Sequence, residues 1–140
     1  MKIKCSFKTE YRQGSKVIGT IIQEGRAART RKELFVANSL RWSNDGINIL
    51  DGHKGQSVGV AMPKRLNDGR IEIAIPATDN ILEIRNKKPY LSIEFYALDE
   101  ATTNGGIREI REAFVKAAAF VDDPEYKQAT TEVRRRVRWL

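Results

Sequence analysis

The sequence predicts an α+β domain, mostly antiparallel β with a few short helices, and three observations carry that expectation. Short runs of apolar-polar alternation recur along the chain, turn-forming residues separate them, and only two segments carry helical spacing. With 140 residues, 1–140 forms a single domain with one core of ordinary size.

Taken in order, "KIKCSF" over 2–7 and "KVIGTII" over 16–22 alternate as strands. "RKELFVANSL" over 31–40 reads as a helix. "GINIL" over 46–50, "SVGVAM" over 57–62 and "RIEIAI" over 70–75 return to strand alternation, with "SNDG" and "NDG" as the intervening turn signals. "ATDNILEIRN" over 77–86 is the second helix, with Thr78 or Asp79 as its N-cap. "LSIEFYA" over 91–97 is again a strand, and "TNGG" closes it. The segment "IREIREAFVKAAAFV" over 107–121 is ambiguous, because its alanines favour helix while its first half alternates, and Pro124 ends whatever precedes it.

Composition narrows the function. Apolar residues make up 41% and charged residues 31%, the balance of a globular protein rather than a disordered one. No apolar run is long enough to span a bilayer, so no membrane partner is expected. The start, "MKIKCSFKTE", lacks a secretory h-region, and a single cysteine cannot form an internal disulfide, which together point to a reducing cytoplasm. The formal net charge of +7 is concentrated in "RAARTRK" and "RRRVR", without the aromatic-basic interleaving of a single-strand binding surface. A solvated face or an acidic protein partner accounts for it, and nucleic acid is not the expected partner.

The chemistry available is limited. His53, in "NILDGHKGQSVG", is the only imidazole, so any mechanism that uses an imidazole as general base near neutral pH must draw on this residue; a surface loop histidine is the plainer alternative. One histidine and one distant cysteine give no metal-ligand spacing, and no phosphate-cradling loop or dinucleotide fingerprint occurs, so neither metal nor cofactor is expected. Of six serines, Ser92 alone lies inside a strongly patterned strand, where a rigid backbone can hold its Oγ in register with a base. Parity puts Tyr90, Ser92, Glu94 and Tyr96 on one face of that strand and Leu91, Ile93 and Phe95 on the other. An ordinary solvent-face serine is the competing reading. The nucleophile elbow G-x-S-x-G is absent. Cys5 shares a face with Ile3 and Phe7 and reads as a small core residue.

Four blocks, in order, carry a resemblance that covers nearly the whole chain. They are "GTIIQEGRAARTRKELFVANSLRW", "GINILDGHKGQSVGVAM", "LSIEFYAL" and the tail "GIREIREAFVKAAAFVDDPEYKQATTEVR". In this arrangement the chain resembles the prohead serine proteases of tailed phages, which are related in fold to herpesvirus assemblin. The resemblance implies an assemblin-like β-barrel, with 107–121 as a strand. It also implies a serine endopeptidase with Ser92 as nucleophile and His53 as general base. The implied substrates are the scaffolding protein, or the scaffold segment of the major capsid protein, and the protease itself, cut inside the assembling prohead in the host cytoplasm; self-association, as a homodimer or a higher assembly, is implied too. Many relatives carry an acid at the position of Ala117. Here the third member falls among nearby acids, Glu112 first, then Glu109 and Asp122, or is missing and a Ser-His dyad remains. Arg108 and Arg111 are candidates for stabilising the oxyanion, and Tyr90, Glu94 and Tyr96 for shaping the cleft. A catalytically inactive relative that binds capsid or scaffold is the alternative function.

Overall fold

The computed structural model describes residues 15–25, 33–122 and 131–134. Two sheets and one helix account for its regular structure. The first sheet orders β10 (Thr131–Arg134), β1 (Lys16–Gln23), β7 (Arg70–Pro76) and β6 (Lys64–Arg65), all antiparallel. The second is built around the long strand β9 (Arg108–Val121). One edge of β9 pairs antiparallel with β8 (Tyr90–Thr102). The other edge takes three short strands in succession, all parallel to it: β2 (Glu33–Phe35), β3 (Leu40–Arg41) and β4 (Ile47–Asp51). β5 (Ser57–Ala61) completes the sheet outside β4.

Most of the expected elements form where alternation puts them. The ambiguous segment is strand β9, and the turn signals deliver glycines with positive φ at Gly46, Gly69 and Gly106. Helix α1 (Asp79–Lys87) starts on Thr78, whose Oγ1 accepts a hydrogen bond from the Ile81 N–H at 3.2 Å, and Pro89 then stops helical continuation and leads straight into β8. The expected strand over 2–7 lies outside the described residues, as do Cys5 and Pro124.

One expectation needs correction. Residues 33–35 and 40–41 are strands, not part of a helix over 31–40. Glu33 and Phe35 alternate inward along β2, Asn38 turns the chain with a φ of 62°, and Leu40 re-enters the core on β3. Helix propensity loses here to tertiary packing: Phe35 stacks edge-to-face on Phe95, centroids 5.0 Å apart, an arrangement worth about 1 kcal/mol beyond area burial. The expected α+β, mostly β class holds in its coarse form: the described residues form two sheets and one short helix, with no closed barrel among them, and three of the strand pairings are parallel.

Between the sheets lies one core. Val17, Ile71, Ile73 and Ile75 from the first sheet meet Ile47, Ile49, Leu91, Ile93, Val115 and Phe120 from the second. At its edge, buried Glu24 accepts hydrogen bonds from Arg65 Nε at 2.7 Å and from the Leu40 N–H at 2.9 Å, tying β1, β3 and β6 together. Arg65 covers Trp42 at 5.2 Å. No helix among the described residues is long and apolar enough to cross a membrane.

Candidate active site

β9 separates the two strands that carry the candidate residues, so the loop after β4 has to reach across it. The ladders fix how. Leu50, Ala119 and Ser92 form one row across β4, β9 and β8, and Asn48, Ala117 and Glu94 form the next. Residues in a row share a face of the sheet. The middle position of both rows is alanine, nearly or wholly buried. A low floor therefore lies between β4 and β8 on the face where Ser92 and Glu94 stand.

The loop 51–56 brings His53 over that floor. Its base is held by Asp51 N–H to Gln56 O at 3.1 Å and Gly52 N–H to Phe120 O at 3.1 Å, and Gly55 N–H closes the turn on Gly52 O at 2.9 Å. Lys88, just past α1, pairs with Asp51 at 2.6 Å. Gly52 has a φ of 80°, and a Cβ on Gly55 would fall 1.7 Å from the Asp51 carbonyl oxygen. The glycines of "DGHKG" are thus a steric requirement of the histidine's position. Gly55→Ala is expected to break the loop and displace His53 while the core stays folded, read as loss of the His53 contacts in an NMR spectrum with the melting temperature lowered by only a few degrees.

The imidazole bridges two residues of one strand. His53 Nε2 lies 3.0 Å from Ser92 Oγ, and Nδ1 lies 2.7 Å from Glu94 Oε2. A carboxylate only accepts, so in the neutral ring the proton sits on Nδ1 and is donated to Glu94, which leaves Nε2 free to accept from the serine hydroxyl. The second carboxylate oxygen, Glu94 Oε1, is 3.7 Å from Lys116 Nζ. Burial is graded across the site: the imidazole side chain is 44% exposed and the Glu94 side chain 17%. Ser92 retains only 3%. Access to its Oγ requires the imidazole or a neighbour to move.

Of the residues singled out in the sequence, His53 and Ser92 meet and Glu112 does not join them. Glu112 pairs with Asp99 in the ladder, seven positions along β9 from Ala119, roughly 20 Å away, and its carboxylate accepts from Arg41 Nε at 3.2 Å. Glu109 lies further along and pairs with Arg111 at 3.5 Å, while Asp122 is exposed just past the end of β9. The acid behind the imidazole is Glu94. Ala117, where the resemblance leads one to look for it, is the direct cross-strand partner of Glu94. The signal for Glu94 was its i,i+2 spacing from Ser92 on one strand face.

The two arginines considered for the oxyanion also lie at the far end of β9. Arg108 pairs in the ladder with Thr102 and bridges Glu33, at 2.7 Å, and Glu100. Its guanidinium is held above its ordinary pKa, chiefly by the hydrogen bond to Glu100, with Glu33 adding to it against the cost of burial. Neither arginine is near Ser92. Tyr96 stands beyond Glu94 with 57% of its surface exposed, and Tyr90 is half-buried at the start of β8. No protein-family model, curated protein or solved structure matches the chain.

Proposed function

We propose that the chain is a serine endopeptidase working through Ser92, His53 and Glu94, with an assemblin-like fold and a role in maturing a phage prohead. The observation that carries the chemistry is the unbroken line of contacts from Glu94 Oε2 through both ring nitrogens to Ser92 Oγ, at 2.7 and 3.0 Å. The biological role rests on the ordered sequence blocks. Its substrates are then the scaffolding protein, or the scaffold segment of the major capsid protein, and the chain itself, and it acts inside the prohead as a self-associating protein.

In this reading Nε2 takes the Oγ proton as the serine oxygen bonds to the scissile carbonyl carbon, forming a tetrahedral oxyanion. The intermediate collapses, the C–N bond breaks, and His53 returns the proton to the leaving amine. Water then attacks the acyl ester with His53 again as base, releasing the carboxylic acid and restoring the serine hydroxyl. Glu94 holds the ring in the tautomer that both half-reactions need and stabilises the imidazolium between them. A fluorophosphonate probe tests the chemistry directly. Attack by Oγ at phosphorus expels fluoride, and mass mapping should find the adduct on Ser92.

A second reading is favoured by one observation, the 3% exposure of Ser92. A protein that keeps the same contacts as a structural clasp and binds capsid or scaffold without cutting would bury this hydroxyl in the same way. It predicts no labelling under conditions where the first reading predicts a stoichiometric adduct.

A further inference from the structure

The ladder between β8 and β9 slips by one residue beside the site. Glu94 pairs with Ala117, yet its successor Phe95 pairs with Val115, so Lys116 is an inserted residue without a rung of its own. In a regular ladder Lys116 would oppose Phe95 and share its face, where Phe95 packs against the core. The bulge re-aims the side chain. Its Nζ lies 3.7 Å from Glu94 Oε1 and 5.4 Å from the centre of the Tyr96 ring, both on the face that carries Ser92.

The consequence falls on Glu94. A carboxylate with one oxygen on His53 and the other unheld can rotate about its last torsion and swing off the ring. Lys116 holds the second oxygen, and Tyr96 holds Lys116 by a cation–π contact. We infer that Lys116 is a positioning residue, placed by a β-bulge, which fixes the Glu94 carboxylate and through it the orientation and tautomer of His53. This rests on the proposed role of Ser92 and His53 for its effect on rate, but its effect on the ring can be read without any activity. Lys54 stands next to the imidazole in its own loop, and the Asp51–Lys88 pair holds the loop's base.

Because His53 is the only histidine, ring ¹⁵N shifts report its tautomer without assignment ambiguity. Lys116→Met and Lys116→Arg are compared with wild type by those shifts, by fluorophosphonate labelling rate and by melting temperature. The expected result is a mixed tautomer in Lys116→Met and a labelling rate lowered about tenfold, carried by the maximal rate rather than by probe affinity. Lys116→Arg should retain the Nδ1–H tautomer and most of the rate, and all three proteins should melt alike, since Lys116 is a surface side chain. Wild-type shifts in Lys116→Met overturn the inference. So does equal loss in both variants, or loss accompanied by a melting temperature lower by several degrees, because either assigns the lysine to the fold. Failure of wild type to label would sink the proposed chemistry alone, since the ring shifts still decide the role of Lys116.

Discussion

Ser92→Ala is expected to abolish fluorophosphonate labelling and cleavage of a co-expressed capsid precursor while leaving the fold intact. The loss is complete for the adduct, because removing Oγ removes the atom that would bond to phosphorus. The cost in stability is small. Ser92 is 3% exposed on a row whose next residue is Ala119, so alanine fits the same space, and the hydroxyl's partner is an imidazole that water can solvate instead. Losing such a bond costs about 1 kcal/mol, which for a domain of this size lowers the melting temperature by roughly 2–6 °C. Circular dichroism and thermal melting separate this outcome from unfolding. Unchanged processing of the precursor by Ser92→Ala would remove the endopeptidase reading, and a wild type that fails to label would leave the clasp reading in its place.

Much of the fold was legible because alternation is a local property. The strands from Lys16, Ile47, Ser57, Arg70 and Tyr90, and the helix capped by Thr78, all follow from patterns within one element and its flanks. The failures are non-local. Residues 33–41 carry helix formers, but their fate is set by five parallel rungs on β9 and by a ring contact between Phe35 and Phe95, sixty positions apart. Parallel pairing to a distant strand leaves no mark in the sequence of either partner. The extent of the sheet, and the absence of barrel closure among the described residues, depend on such pairings.

The site divides along the same line. His53 as the only imidazole, and Ser92 as the serine in a rigid strand, could be picked out from residue type and local pattern. Glu94 was equally visible by parity, on the same face as Ser92, but the resemblance implies an acid at the position of Ala117, on the segment that forms β9. The two acids are parted by the register of β8 on β9, which sets Glu94 opposite Ala117 and carries Glu112 to Arg41. Register depends on the bulge at Lys116, and a bulge is a property of the pair of strands.

That register makes the second large effect specific. Glu94→Gln is expected to lower the labelling rate by about 10³- to 10⁴-fold, because glutamine can donate from its amide to Nδ1 and so favour the tautomer that puts the proton on Nε2, where the serine hydroxyl has to be accepted. The substitution keeps the shape of the side chain, so folding should be little changed. A compensating variant follows from the ladder. Ala117 is the cross-strand neighbour of Glu94, on the same face, with Cβ atoms of such pairs about 5 Å apart, so a carboxylate placed there approaches Nδ1 from the next strand. Glu94→Ala alone should label as slowly as Glu94→Gln. Glu94→Ala combined with Ala117→Glu should recover at least tenfold, whereas Glu94→Ala combined with Glu112→Ala should behave as Glu94→Ala, since Glu112 serves Arg41. Full activity in Glu94→Gln would show that the 2.7 Å contact to Nδ1 carries no part of the reaction, leaving Ser92 and His53 to act as a pair.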